Sequence, residues 1–145
     1  QSADDGRNPS HYVPELSRRA RGFATWAVLQ ALGRTGVEAI VDQTCANAAR
    51  LAFQLGEAKG VTILNEVCLN QIALAFGDAD GHAASDMLTQ RVISHLQDDG
   101  QWFIKDAIWR GRRIMRLSFS SQGKGEPEID RFAAAILSAW NTVRG

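Results

Sequence analysis

The sequence predicts an α+β fold: a small, mostly antiparallel sheet of about four strands, covered on one face by helices, in the order ααββαββα. Two observations carry this. Helical apolar periodicity occupies the first third of the chain and the last twenty residues. Between them lie short apolar runs bounded by Gly and Asn, in pairs too short to be helices.

Residues 1–14 (QSADDGRNPSHYVP) are polar and rich in turn formers, and read as an arm or linker ahead of one domain over residues 15–145. From Leu16 to Leu32 the pattern is helical. After Gly22 it is apolar nearly all round, which predicts a helix buried on most sides, with Trp26 in the core. Gly33 and Gly36 punctuate the chain before a second helix to about Glu57, whose stripe is Val37, Ile40, Val41, Thr44, Ala48, Leu51, Ala52 and Leu55. The texture changes after Gly60. VTIL (61–64) and QIALAF (71–76) read as strands, the second with Ile72, Leu74 and Phe76 on one face and Gln71, Ala73 and Ala75 on the other. A helix over roughly 83–97 points Leu88, Val92 and Leu96 inward. Residues 102–108 and 113–119 read as strands joined by a short turn around Gly111, flanked by Trp102 and Trp109. The last helix has Ile129, Phe132, Ala133, Ile136, Trp140 and Val143 as its stripe. Pro127 suits its first turn, and Glu126, Glu128 and Asp130 suit its N-terminal dipole.

Composition excludes several classes. The 145 residues carry sixteen basic and sixteen acidic side chains, so no net field argues for nucleic acid, membrane or an acidic partner. No apolar run approaches the ~18 residues of a membrane span, and there is no signal-peptide pattern. Cys45 and Cys68 have no metal-ligand spacing; two free thiols suit a reducing cytoplasm, although two can also pair. The chain begins at Gln1, and its methionines are Met87 and Met115, so it reads as a piece of a longer polypeptide.

Few side chains stand out as chemistry. His11, His82 and His95 are scattered, without metal spacing. GRTG (33–36) and GKGE (123–126) complete no phosphate-binding fingerprint. SRRARG (17–22) puts Arg18, Arg19 and Arg21 at a helix start, where positive charge opposes the dipole. It fits an external carboxylate, or a solvated turn paired with Asp4, Asp5 or Glu15. Arg116 is the sharper case. Within RIMRLSF (113–119), Met115, Leu117 and Phe119 form a core face, while Ile114, Arg116, Ser118 and Ser120 suit neither a dry core nor plain solvent. A strand arginine of this kind is a surface residue, half of a local ion pair, or a ligand contact.

Three segments taken together carry a family resemblance. PELSRRARGFATWAVLQALGRTGVEAIVD (14–42) resembles the segment opening the C-terminal part of the group II pyridoxal-phosphate-dependent amino-acid decarboxylases, matching at Ser17, Arg18, Arg19, Trp26, Gly33 and Gly36. NEVCLNQIALAFGD (65–78) resembles a strand pair of that family, and WRGRRIMRLSFSSQGKGEPEIDRF (109–132) its closing strand and helix. The sequence departs from the pattern in the GKGEP loop, where relatives have Asn-x-x-Thr, and at Gly77-Asp78, where many carry Arg or Lys.

The resemblance implies the C-terminal small domain of a fold-type-I enzyme. Its parent would be a cytoplasmic homodimer that releases CO₂ from an amino acid, with pyridoxal 5'-phosphate held by a separate large domain. In that family the cofactor-bearing lysine follows a histidine; this chain has no His-Lys dipeptide, so it is expected to be inactive alone. The resemblance also implies that Arg116 meets the substrate α-carboxylate, and gives Arg18 and Arg19 a structural or interface role. Another fold-type-I small domain, such as that of an aminotransferase, and a free-standing α+β binding or regulatory module are the alternatives.

Overall fold

The computed structural model describes residues 20–77, 82–120 and 125–145. Its elements are α1 (Arg21–Gly56), β1 (Val61–Ile63), β2 (Gln71–Phe76), α2 (His82–Asp98), β3 (Lys105–Trp109), β4 (Arg112–Ser118) and α3 (Glu126–Arg144). By internal contacts the chain divides into two compact units, Gln1–Val37 and Glu38–Gly145. The α+β class and the four-stranded antiparallel sheet are as the sequence predicts. Among the described residues no helix is long and apolar enough to cross a membrane.

The two expected N-terminal helices meet at Gly33, whose φ of 61° and ψ of −171° leave the helical region and kink α1 between them. Glycine accepts that backbone at little cost. The first unit corrects one expectation: its helix is not buried. Phe23 and Trp26 are 71% and 57% exposed, and Val28 and Leu29 are about half exposed. An apolar sequence says that a surface prefers to leave water; it does not say what will cover it. Phe23 and Trp26 shield each other partly, at 5.9 Å between ring centroids.

The second unit holds the core. Its sheet has the order β1-β2-β4-β3, every neighbouring pair antiparallel. Ile72, Leu74 and Phe76 from β2 and Met115 and Leu117 from β4 project to one side. There they join Ala48, Leu51 and Leu55 of α1, Val92, Ile93 and Leu96 of α2, and Ile129, Ala133, Ile136 and Trp140 of α3. The α1 residues recur at helical spacing, so the stripe from Thr44 onward packs as expected, whereas Val41 is 48% exposed. Of the tryptophans assigned to the core, Trp140 is 4% exposed and Trp26 is not buried.

Polar groups fix how the helices sit on the sheet. The Thr89 hydroxyl accepts the Phe76 N–H at 3.1 Å, satisfying β2 where its ladder ends. Asp86 accepts the Arg113 N–H at 2.9 Å and ties α2 to the start of β4. β3 and β4 are joined by a two-residue turn, Arg110-Gly111, with φ of 51° and 75°. Positive φ at both positions gives the turn the twist of the strands it joins. The Arg110 guanidinium lies 4.4 Å from the Trp109 ring. β3 begins at Lys105, three residues later than the sequence suggests, and Trp102 packs on Phe132 of α3 at 4.5 Å.

Two tethers join residues far apart in sequence. Arg50 of α1 donates two hydrogen bonds to Asp130 of α3, at 2.8 and 2.9 Å. Gln54 adds a third at 2.6 Å, and Glu126 pairs with Arg50 at 3.2 Å. The hydrogen bonds from Arg50 and then Gln54 hold the Asp130 carboxyl down at about 2, and the bond to Asp130 raises Arg50 above its ordinary value. The second tether is the Trp140 indole N–H, which donates to the Lys59 carbonyl at 3.0 Å. Gly60 turns beneath that ring with φ of 81°; a Cβ there would stand 2.7 Å from Trp140 Cζ2.

Gly60→Ala therefore combines a disfavoured backbone with a clash against a rigid ring. It should lower unfolding free energy by about 2 kcal/mol or more, read as a lower urea midpoint. Asp130 has a folded value below the ~3.9 of an unfolded aspartate, so its stabilisation is complete above about pH 4 and drains away as pH falls through ~2. Asp130→Asn should cost stability at pH 7 and flatten the loss between about pH 4 and pH 2; an unchanged slope in urea titrations across that range would count against the tether.

Candidate functional site

The sheet face opposite the helices is where chemistry is available. Period-two alternation puts Gln71, Ala73 and Ala75 of β2, Ile114, Arg116 and Ser118 of β4, and Lys105 of β3 on that side. Ala75 and Ile114 are buried; Gln71, Arg116, Ser118 and Lys105 are exposed. The face is thus closed near its middle and open towards the Lys105–Ser118 end.

Register sets the neighbours of Arg116. β2 places Ala73 directly opposite it on one side, and β3 places Lys105 opposite on the other. The small Ala73 leaves room beside the guanidinium. A cavity of about 210 Å³ opens there, lined by Asn65, Gln71, Ala73, Trp109, Ile114 and Arg116 among others. Arg116 also borders a larger cavity of about 550 Å³ between the β3–β4 end and α3, lined by Trp102, Phe103, Lys105, Phe119 and Phe132.

The backbone around this end is firmly held. The Asn65 carboxamide oxygen accepts the Ala73 N–H at 2.7 Å, and its amide donates to the Gln71 carbonyl at 3.2 Å. A side chain thereby pairs the edge of β2 beyond the end of β1. Asn70 clamps β4 from the same side: its carbonyl accepts the Phe119 N–H at 3.0 Å, and its amide donates to the Phe119 carbonyl. Arg116 therefore projects from backbone fixed at both ends.

Among the described residues Arg116 has no hydrogen bond or ion pair. Asp106, the carboxylate on the neighbouring strand, lies on the helix side of the sheet opposite Met115 and is paired with Arg113. Arg113 also donates to Gln90 at 2.7 Å. One arginine of β4 is thus spent on structure while Arg116, three residues on, is left available. A guanidinium in this state can hold a carboxylate through two parallel N–H···O bonds. Arg18 and Arg19 lie outside the described residues, as do His11 and Lys124. His82 and His95 are exposed, and the two cysteines are free thiols.

Lys105 and Asn65 were not singled out from sequence. Lys105 was legible in principle: it and Arg116 are equidistant from the Arg110-Gly111 turn, and a two-residue hairpin makes them partners. Asn65 gave no signal, because its role is to replace a missing strand residue.

The fold is that of solved amino-acid decarboxylases. TDC from Oryza sativa with PLP and tryptamine superposes with a TM-score of 0.80 at 14% identity, over 91% of this chain and 29% of that one. Tryptophan decarboxylase from Catharanthus roseus in complex with L-tryptophan gives 0.76 at 14% identity, over 86% and 27%. The glutamate decarboxylase domain of a diaminobutyrate transaminase–decarboxylase protein from Vibrio parahaemolyticus gives 0.64 at 13%, over 82% and 24%. This chain spans less than a third of the length of each. No family model matches the sequence, and no curated protein does.

Asn65→Ala removes the acceptor for the Ala73 N–H. It should cost about 1–2 kcal/mol and speed hydrogen exchange at Ala73, seen by NMR, without unfolding the helix side of the sheet.

Proposed function

We propose that this chain is the C-terminal small domain, over residues 15–145, of a pyridoxal-phosphate-dependent amino-acid decarboxylase. Its role there is to bind the substrate carboxylate and help close the active site. The observation that carries the reading is Arg116: an exposed guanidinium without a partner among the described residues, on the sheet face opposite the core, in a fold shared with amino-acid decarboxylases.

The chain's own residues do not fit as holders of the cofactor. Lys59 and Lys105 are exposed, and neither these nor Lys124 follows a histidine. The cofactor, which supplies an electron sink when bound, would be held by a separate large domain of the parent. Arg116 would grip the α-carboxylate with both nitrogens of its fork, and so fix which bond to Cα stands perpendicular to the cofactor ring. Ala73 leaves space for that carboxylate, and the clamps at Asn65 and Asn70 keep the strand from yielding. The sheet face opposite the core would then be the surface turned towards the large domain.

Phe23, Trp26, Val28 and Leu29 support the same reading, since so much exposed apolar surface fits burial in a larger assembly, against the large domain or a second subunit of a homodimer. Arg18 and Arg19 would belong to that interface. Two free thiols fit a cytoplasmic enzyme.

In the parent enzyme, Arg116→Met should cut kcat/KM by roughly ten- to a hundredfold, the loss of one charge-assisted carboxylate contact, while cofactor absorbance is unchanged. Arg116→Lys should recover little of it, because a point charge does not reproduce the planar fork. Full turnover in the Met variant would reduce Arg116 to a surface arginine.

A further inference from the structure

Lys105 stands directly opposite Arg116 in the β3–β4 ladder, on the same face, and both are exposed. Like charges at directly opposed positions repel, and strands normally avoid the arrangement. Among the described residues neither cation has an ion pair: Asp106, the nearest acid in sequence, points to the other side and is paired with Arg113, and Glu128 lines the same cavity without pairing with either. The ammonium of Lys105 rests 5.4 Å from the centre of the Phe103 ring, which orients the charge without neutralising it. Phe103 is itself 84% exposed. The row across the sheet therefore reads Lys105, Arg116, Ala73: two cations without an ion pair among the described residues, and an open space.

From this pair we propose that the ligand carries two acidic groups, and that Lys105 is the residue that reads the second. The inference rests on the assignment of Arg116 to the α-carboxylate and adds the substrate class: an acidic amino acid. The two cations suit the two tasks. Arg116 offers a planar fork that sets orientation, as an α-carboxylate at the reacting carbon requires. Lys105 offers a mobile point charge on a flexible stem, which tolerates the varied position of a side-chain acid. Both residues border the larger cavity by α3, giving the second acid group a place to lie.

The test compares a diacid with a monoacid of similar length on the 145-residue chain. Glutarate and butyrate are titrated by calorimetry at low salt against the unaltered protein and against Lys105→Met, Lys105→Arg and Arg116→Met, with far-UV circular dichroism melts to confirm that each variant is folded. Glutarate should bind about tenfold or more tighter than butyrate. Lys105→Met should erase that preference and leave butyrate binding unmoved, and Lys105→Arg should keep the preference. Equal binding of the two acids, no binding of glutarate, or an equal loss of both in Lys105→Met overturns the role of Lys105. Arg116→Met should lose both acids. If it loses neither while Lys105→Met does, the assignment of Arg116 fails, and the acidic-substrate inference fails with it.

Discussion

The site depends on one constraint, the antiparallel register that runs from β2 through β4 to β3. Because side chains alternate strictly along a strand, a slip of one residue in β4 would send Arg116 into the core and Met115 into water. That slip is opposed from both ends. Core packing holds Met115 and Leu117 on the helix side. The Arg110-Gly111 turn at one end and the Asn70 clamp at the other fix where the ladder begins and stops. Everything about Arg116, including its small neighbour and its cationic one, follows from this pairing.

The structure also separates two uses of arginine on a single strand. Arg113 faces the helices, pairs with Asp106 and Gln90, and donates its backbone N–H to Asp86. Its charge is consumed in attaching α2 to the sheet. Arg116 faces the other way and is consumed by nothing among the described residues. An ion pair and a ligand contact draw on the same chemistry, and the pleat alone decides which residue is assigned to which.

Patterns with a short physical range were legible in the sequence. β2 occupies the residues its alternation predicts, and the α3 stripe buries Ile129, Ala133, Ile136 and Trp140. The hairpin turns where Gly111 suggests. Misreadings came where the cause lies far off in sequence. Trp102 and Ile104 look like strand residues, yet Trp102 is claimed by Phe132 of α3 and the ladder starts only at Lys105. Trp26 looks like core because its neighbours are apolar, and periodicity holds no information about which surface will meet them. Gly33, by contrast, marks the junction of two helical segments, as its place between two apolar periodic stretches suggests. For the site, alternation placed Arg116 on the right face. Its partner Lys105 required the register as well.

The long-range tethers have a consequence for the order in which this fold can be assembled. Lys59 waits for Trp140, and Arg50 waits for Asp130, each some eighty residues later in the chain. During synthesis the apolar stripe of α1 and the inner face of β2 are made long before α3 exists to cover them. A nascent chain must carry that greasy surface until α3 has left the ribosome, and surface exposed for that long favours aggregation. The helix α3 is thus the lid of the core, and the apolar face beneath it stays wet until it docks.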